Sequence, residues 1–352
     1  MSEKLTPQQR ANLFAMSTRQ NLQMMAKQSV TSGSTSMQFT LPKARLLSNI
    51  FVRVKAKINV KHATKTEIAN GVLTPYRLIR RISLDLNNGF APYTISGDAL
   101  AMLNMVTPTA RMCVNGSDYY GVPDKFKASA AGTDNDFYFT IQLPVTLNGR
   151  DPVGLILLQS EQTTTDLRID VGNPSEMYPD TDISGFTFDL KEVEAQPMLE
   201  TFSIPANNSA YPDLSVLKLC QDRTDTITAA GQQIVKLSTG TIYRKLLLYI
   251  ADENGKPAKE DFVTSNIDLV FNQADTNYSV APAMLRAKNA FDLGSPTPDG
   301  LFIFDFSNQG LPNFGGTRDY IDSERLTEFW VRFNTSGKGS IKIITECLAR
   351  LV

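Results

Sequence analysis

The stretch FVRVKAKINVKHAT, residues 51–64, alternates between apolar and polar side chains almost without a break. Val52, Val54, Ala56, Ile58 and Val60 fall on one side, and Arg53, Lys55, Lys57, Asn59 and Lys61 fall on the other. Because successive side chains of a β-strand point to opposite faces, this pattern predicts a strand with one apolar and one cationic face. Four positive charges along one strand face have two explanations, a solvated outer face or a face that meets an anionic partner.

Charge is unevenly distributed along the chain. The 352 residues include 35 Lys and Arg and 36 Asp and Glu, which gives a net charge of −1. Residues 1–81 contain 14 basic and two acidic residues, a net charge of +12, so the other 271 residues, with 21 basic and 34 acidic, carry −13. Such a split indicates a basic N-terminal region that faces an anionic surface or the acidic parts of neighbouring subunits.

The composition is that of a folded protein with about two domains. Hydrophobic residues make up 42% of the sequence and charged residues 20%, which favours large cores over disorder. Cys113, Cys220 and Cys347 are far apart and form no CxxC pair, so buried thiols are expected rather than a zinc site or a disulfide framework. The sequence shows no signal-peptide pattern, and its apolar runs are too short to span a bilayer, so we expect synthesis in a cytoplasm.

Residues 5–30 have the features of an amphipathic helix. Thr6 is a suitable N-cap, Pro7 fits the first helical position, and an apolar stripe that includes Phe14, Leu22 and Met25 follows at helical spacing. The polar segment TSGSTS, residues 31–36, then predicts a flexible hinge. A basic arm of this kind docks on a partner or a membrane surface, or packs on its own domain, and the sequence leaves both possibilities open.

Beyond the hinge, the sequence is dominated by short β-strands and turn-rich loops. Helices are expected only at 97–106, 281–291 and 323–327, and this balance predicts antiparallel β-sandwiches. Both halves contain several strands, then one short helix, then a loop-rich stretch and final strands, although no sequence repeat accompanies this likeness. With a boundary at Pro197, we predict an arm and hinge at 1–36 and two domains at 37–196 and 197–352.

Residues for catalysis are scarce in this sequence. His62 is the only histidine, so metal sites that need several histidines and a Ser-His-Asp mechanism are hard to assemble. No phosphate-binding loop and no GxSxG motif is present. Acidic residues cluster only in loops, at Asp180 and Asp182 and at Asp319, Asp322 and Glu324, where turn formation is the usual reason. We therefore expect no catalytic, cofactor-binding or metal-binding residues.

The order of features over residues 5–105 is similar to that of a known family. An arm that begins LTPQQ is followed by a polar hinge, a strand ending in NVKHAT, then TPYRLIRRISLDLNNG and the step YTISG into a short helix. This order resembles the major capsid proteins of tectiviruses, tailless bacteriophages with a membrane beneath an icosahedral shell. The segments LFIFDFSNQG and LTEFWVRFN, within 301–334, are similar to the last strands of double jelly-roll capsid proteins.

The resemblance implies an all-β double jelly roll, in which two eight-stranded antiparallel sandwiches stand side by side behind the helical arm. It also implies a pseudo-hexagonal homotrimeric capsomer that tiles the virion shell, with neighbouring capsomers and minor capsid and vertex proteins as further partners. Before assembly the protein would reside in the host cytoplasm. No sequence-specific nucleic-acid binding is implied. The arm would face the internal membrane or a neighbour through Lys4, Arg10, Phe14, Arg19, Leu22, Met25 and Lys27.

This picture offers a partner for the cationic strand face. Arg53, Lys55, Lys57 and Lys61 become candidates for a subunit contact, most simply with an acidic loop such as YPDTD, residues 178–182, of a neighbouring chain. Anionic lipid beneath the shell is the other possible partner. Alternatives to a capsid protein are a β-sandwich spike, a carbohydrate-binding surface protein and, third, a carbohydrate-active enzyme with paired carboxylates.

Overall fold

The computed structural model is dominated by β-strands. It describes residues 7–87, 89–106, 122–147, 153–159, 164–206, 210–211, 213–272, 275–307 and 320–350. Among these residues, no helix has both the length and the apolar character needed to cross a membrane.

Within its described residues, the first half of the chain contains two α-helices and twelve strands. In chain order these are α1 (Pro7–Ser17), β1 (Gln20–Met24), β2 (Gln28–Val30), β3 (Thr35–Thr40), β4 (Leu46–Lys61), β5 (Glu67–Ala69), β6 (Ile79–Leu86), β7 (Phe90–Ile95), α2 (Gly97–Val106), β8 (Lys125–Lys127), β9 (Thr133–Pro144), β10 (Ile156–Leu157), β11 (Thr165–Val171) and β12 (Thr187–Phe202). Among the described residues of this half, 3-10 helices lie at Pro75–Leu78 and Pro174–Met177.

The second half contains one helix and nine strands within its described residues. In chain order these are β13 (Val216–Ile227), β14 (Gly231–Leu237), β15 (Ile242–Asp252), β16 (Ile267–Phe271), β17 (Asp275–Val280), α3 (Pro282–Leu293), β18 (Leu301–Asp305), β19 (Ile321–Asp322), β20 (Phe329–Thr335) and β21 (Gly339–Arg350).

The quoted stretch forms most of β4, the central strand of the first sandwich. Its inward side chains, from Ile50 to Val60, are almost completely buried, whereas Arg53 and Lys55 between them are exposed. The predicted division into an apolar and a cationic face is therefore confirmed. Burial of each Val or Ile contributes about 1.5–3 kcal/mol of transfer free energy, so the inner face of β4 is a main source of first-roll stability.

Each half of the chain folds into a sandwich of two antiparallel sheets. In the first roll, a sheet with the strand order β1-β12-β4-β9 packs on a sheet with the order β3-β11-β6-β7. In the second roll, β13-β21-β15-β18 packs on β14-β20-β16-β17. The chain has a double jelly-roll fold, as predicted.

The two rolls follow the same plan. When β1, β3, β4, β6, β7, β9, β11 and β12 are matched in chain order with β13 to β18, β20 and β21, every neighbouring pair in one roll has its counterpart in the other. The helix also recurs at the same point, because α2 follows β7 and α3 follows β17. The coarse likeness of the two halves in sequence thus reflects a repeated architecture.

A single parallel contact joins the two rolls into one sheet. The edge strand β7 pairs with β13 through Tyr93 opposite Cys220 and Thr94 opposite Gln221. Through this pairing, one sheet of nine strands runs across both rolls, with β3, β11, β6 and β7 from the first and β13, β21, β15, β18 and β19 from the second. The predicted domain boundary at Pro197 lies inside β12, whose pairing with β4 continues to Phe202, whereas the second roll begins at Val216. The division into an arm and two domains stays a prediction.

The helix predicted over residues 5–30 is shorter than expected, and this prediction was wrong beyond Ser17. Residues 20–24 and 28–30 are strands β1 and β2, which pair antiparallel with β12. The predicted hinge at 31–36 contains bends and then the start of β3. An uncovered edge of β12 would leave backbone groups unpaired, and satisfying them outweighs the modest helix propensity of this Gln- and Met-rich segment.

Helix α1 is anchored to its own chain by one aromatic side chain. Phe14 is buried against Leu46 and Leu155, and its ring meets that of Phe202 edge to face at 5.3 Å between centroids. We expect Phe14→Ala to cost about 3 kcal/mol of local stability, because the removed ring leaves a cavity. Amide hydrogen exchange over residues 9–17 should accelerate strongly in this variant. Leu13→Ala, at a partly exposed position of the same helix, is the control, and equal exchange in both variants would contradict the anchoring role.

Candidate assembly surfaces

Three of the acidic residues considered for catalysis, Asp180, Asp182 and Asp322, are engaged in turns and a structural ion pair. Asp180 pairs with Arg77, with 3.1 Å between Oδ2 and Nη1. Asp182 accepts the backbone N–H of Ser184, and Asp322 accepts that of Glu324. Asp319 lies outside the described residues. Among the residues that the structure describes, no group of three or more His, Cys, Asp or Glu side chains is placed to hold a metal ion.

His62 also has a structural environment. Its Nδ1 accepts the backbone N–H groups of Thr64 and Lys65, and its ring packs on Phe186 at 4.4 Å between centroids. Both hydrogen bonds stabilise the turn that follows β4. Cys220 and Cys347 are buried free thiols, in agreement with expectation, and burial raises the pKa of the Cys347 thiol to about 12. Cys113 lies outside the described residues.

The cationic face of β4 lies between two acidic strands of the same chain. Lys57 has Asp136 of β9 on one side and Glu192 of β12 on the other. Lys55 lies between Tyr138 and Glu194 in the same way. Cross-strand neighbours with opposite charges stabilise a sheet, so much of the positive charge is balanced inside the chain.

Two of the four cations form ion pairs on this face. Lys57 Nζ lies 3.2 Å from Asp134 Oδ2, and Lys61 Nζ lies 3.2 Å from Asp189 Oδ2. The hydrogen bond and the charge of Asp134 raise the pKa of Lys57. The pKa of Asp134 is in turn lowered, first by the hydrogen bond from Asn59 and then by that from Lys57. Exposed pairs of this kind contribute little to stability, because water screens them.

The other two cations remain available for a partner. Arg53 and Lys55 are exposed and form no ion pair within the described part of the chain. The guanidinium of Arg53 lies 5.0 Å from the centroid of the Tyr138 ring, in a cation–π arrangement. The sequence pattern identified these cations, but their acidic neighbours are recognisable only once the pairing of β4 with β9 and β12 is known.

The proposed acidic partner loop is partly committed inside its own chain. In YPDTD, Tyr178 is buried and its hydroxyl donates to the side-chain oxygen of Asn70 over 2.7 Å. Asp180 is held by Arg77 as described above, so Asp182 is the carboxylate of this loop that remains exposed. A contact between this loop and the cationic face stays a prediction that depends mainly on Asp182.

The predicted arm residues divide into two groups. Phe14 is buried against its own chain, so the prediction that it faces a membrane or a neighbour was wrong. Met25 is half-buried on the first-roll core, and a membrane or neighbour contact of this residue stays a prediction. Their burial follows from the docking of α1, β1 and β2 along β12. Arg19 and Leu22 are exposed, Arg10 is half-buried, and Lys27 Nζ pairs with Glu194 Oε2 at 2.8 Å. Lys4 lies outside the described residues.

A buried ionic network, not anticipated from the sequence, links the first roll to the second. Lys342 of β21 donates to both carboxylate oxygens of Asp98, in the first turn of α2, over 2.7 Å each. Arg77 lies beside this pair and also donates to the Tyr249 hydroxyl of β15. Burial acts to raise the pKa of Asp98, but Lys342, Ser96 and Arg77 outweigh it and hold the pKa below its usual value.

Helix α2 can approach this network closely because it begins with glycine. A Cβ atom at Gly97 would clash with the carbonyl oxygen of Tyr76 and with the side chain of Ile79. Ser96 precedes it and donates its hydroxyl to Asp222 of β13 over 2.6 Å, which adds a second polar link between the rolls. The YTISG segment therefore forms a structural junction between the two sandwiches.

A second buried cluster lies on the same side of β21. Glu346 is 2% exposed, and its carboxylate lies 3.7 Å from Lys218 Nζ and 3.5 Å from Arg244 Nε. Burial acts to raise the pKa of Glu346, but the charges of Lys218, Lys245 and Arg244 outweigh it and lower the pKa to about 2. Burial also lowers the pKa of Lys218. The carboxylate of Glu346 therefore lies among three buried cations, Lys218, Arg244 and Lys245.

Comparisons with known proteins give a consistent structural result. No protein-family model matches the sequence, and no curated protein matches it at the sequence level. Among solved structures, the chain is similar to the STIV MCP, with a TM-score of 0.69, 13% identity, and coverage of 94% of this chain and 97% of that one. STIV is the Sulfolobus Turreted Icosahedral Virus.

Two other viral structures support the same fold. The chain is similar to the PBCV-1 virus capsid protein, with a TM-score of 0.64, 8% identity, and coverage of 94% of both chains. It is also similar to the major capsid protein P2 from bacteriophage PM2, with a TM-score of 0.54, 11% identity, and coverage of 94% of this chain and 98% of that one. The likeness spans both rolls. Because the sequence identity is only 8–13%, the likeness establishes the double jelly-roll fold alone.

Proposed function

We propose that this chain is a viral major capsid protein. The observation that carries the proposal is the two-roll architecture, which is similar over 94% of the chain to capsid proteins of several viruses. The protein would be located in the virion shell, after a period in the host cytoplasm before assembly.

In this proposal, three copies form a pseudo-hexagonal capsomer that tiles an icosahedral shell. The two rolls of one chain share a plan, so three chains supply six similar sandwiches, as a six-sided outline requires. Neighbouring capsomers and minor capsid and vertex proteins would be the further partners. The tectivirus-like order of features in residues 5–105 supports a tailless bacteriophage with an internal membrane.

The N-terminal segment supports a position on the inner side of the shell. Its exposed side chains on and next to α1, including Met16 and Arg19, combine apolar surface with positive charge, which suits anionic lipid or the base of a neighbouring capsomer. The cationic face of β4 would meet acidic side chains of a neighbouring subunit, with Arg53 and Lys55 as the available charges. No sequence-specific contact with nucleic acid is proposed.

The mass of the purified protein in solution tests this proposal first. Light scattering coupled to size exclusion should give three times 38.9 kDa over a wide range of salt, and electron microscopy of concentrated samples should then show assembled particles. A monomer at every concentration and salt would contradict the capsid function. The alternative is a β-sandwich spike or a carbohydrate-binding surface protein, and glycan-array binding by such a monomer would favour it.

The double variant Arg53→Glu/Lys55→Glu tests the cationic face. We expect the isolated fold to persist, because both side chains lie on the outer face, whereas the protein concentration needed for assembly should rise about tenfold or more through like-charge repulsion. The control is Lys259→Glu/Lys338→Glu, which makes the same change in net charge at exposed turns of the second roll. Unchanged capsomers and particles in the first variant would exclude a subunit contact at this face.

A further inference from the structure

The two equivalent helices differ greatly in exposure. In α2, every residue except Met105 is buried, although the helix lies at the edge of the first roll. In α3, Met284 is 66% exposed and Phe291 is 89% exposed, and the exposed Ala287 lies between them at helical spacing. Helix α3 therefore presents an apolar stripe at the position where α2 is covered.

Residues of the second roll pack beside α2, which itself lies on β6 and β9 of the first roll. Leu247, Tyr249 and Ile344, on the outer face of β15 and β21, lie in the same continuous apolar cluster as α2 and the first-roll core. The parallel pairing of β7 with β13 and the Asp98–Lys342 ion pair complete this contact. The N-terminal end of α2 thus lies against the outer face of the sheet β13-β21-β15 in the second roll, while the β7 edge continues that sheet through its pairing with β13.

The first roll has the equivalent outer face, on β1, β12 and β4, and there it is exposed. Met24 of β1 pairs with Met198 of β12, which pairs with Phe51 of β4, and Leu22 lies two residues along β1. Met24 is 64% exposed and Leu22 is 59% exposed, whereas Phe51 and Met198 are half-buried. These four residues form an apolar patch between the anchored helix α1 and the cationic part of β4.

The open sheet edges match this arrangement as well. Among the described residues, β17 pairs only with β16, and β1 pairs only with β12. Each chain therefore has an unpaired edge at β17 in the second roll and another at β1 in the first. They are the counterparts of the edges β7 and β13, which pair with each other inside the chain.

We infer that α3 and the β17 edge of one copy dock on the apolar patch of Leu22, Met24, Phe51 and Met198 of a second copy. The contact is head-to-tail, so its repetition closes a ring when the rotation between rolls is about 60°, which gives six rolls in three copies. This inference rests on the proposed homotrimer and specifies which surfaces form it. The position equivalent to Asp98 is Ala283, so the contact between chains is apolar where the internal one is ionic.

The variant Phe291→Asp tests this interface. A charge at this aromatic position should raise the concentration at which trimers dissociate by about 30-fold or more, the effect expected for an interface hot spot. Folding should be unaffected, because the side chain is largely exposed, and circular dichroism and thermal melting verify this. The matched control is Ile234→Asp, an exposed apolar position on β14 at the opposite edge of the same sheet, which should leave the trimer intact.

A cross-linking experiment gives an independent readout. The double variant Met24→Cys/Phe291→Cys, treated with a bismaleimide, should give covalent dimers and trimers on a denaturing gel, while each single variant should not. If the wild type is a trimer, Phe291→Asp is still a trimer and the double-cysteine variant gives no cross-linked dimers or trimers, this interface is overturned and the capsid function stands. A wild-type chain that stays monomeric would overturn both.

Discussion

Replacing Glu346 with glutamine is expected to destabilise the chain by about 3–5 kcal/mol, because removal of one member of a buried charge cluster leaves its partners uncompensated. The carboxylate lies among Lys218, Arg244 and Lys245, all of them buried. Glutamine keeps the shape but carries no charge, so three cations remain in the junction between the rolls. Chemical unfolding of purified wild type and variant, followed by tryptophan fluorescence and circular dichroism, measures the difference.

The control for this variant is Glu260→Gln. Glu260 also pairs with an arginine, Arg286, but its side chain is about half exposed, so its loss should cost less than about 1 kcal/mol. Similar losses in the two variants would show that the buried cluster is not a source of stability.

The same carboxylate makes stability depend on pH. The pKa of Glu346 is lowered from 4.5 to about 2 in the folded chain, so the unfolded chain binds a proton at higher pH than the folded one does. The contribution of Glu346 to stability is therefore complete above about pH 4.5 and is lost as the pH falls towards 2. Glu346→Gln should lack this component, and its unfolding free energy should vary less with pH over that range than that of the wild type.

Replacing Asp98 with asparagine is expected to produce a loss of similar size, about 3–5 kcal/mol, through a different contact. Asp98 receives two hydrogen bonds from Lys342 and supports the first turn of α2, so its neutralisation leaves a partly buried lysine facing an amide. We expect the loss to be concentrated at the junction. Amide exchange should accelerate at residues 93–95 and 218–222, where β7 meets β13, more than in the second-roll core.

Two comparisons isolate this ion pair. Asp292→Asn removes an exposed carboxylate that pairs with Lys288 on the surface of α3 and should cost less than about 0.5 kcal/mol. In a double-mutant cycle, Asp98→Asn combined with Lys342→Met should be less destabilising than the sum of the single changes, because no charge is then left unpaired. Strict additivity of the two changes would contradict a direct interaction.

The sequence predicts elements whose pattern is local, and β4 is the best example. Its alternation identifies both faces because burial of one strand face imposes a period of two. The cross-strand neighbours of β4 could not be predicted in this way, because Asp136 and Glu192, which lie opposite Lys57, are far from it in the chain. Cross-strand partners depend on sheet topology, which a single alternating segment does not contain.

The N-terminal segment shows where local reasoning gives the wrong answer. Its helical stripe is imperfect, and residues 20–30 become strands because β12 offers an edge that needs hydrogen-bond partners. The junction was missed for a similar reason. Asp98, Arg77 and Lys342 give no recognisable motif, since their spacing in sequence is set by the packing of two separate rolls.

The pairing of β1 with β12 has a consequence for synthesis of the chain. Arg19 donates its backbone N–H to Ser203, 184 residues later, so the first roll cannot close until almost 60% of the chain has been made. Contacts between such distant segments form slowly, and β1 remains without its strand partner until β12 has been synthesised. The patch around Met24 is completed only when β12 arrives, so a nascent first roll cannot present this surface before its own sandwich is finished.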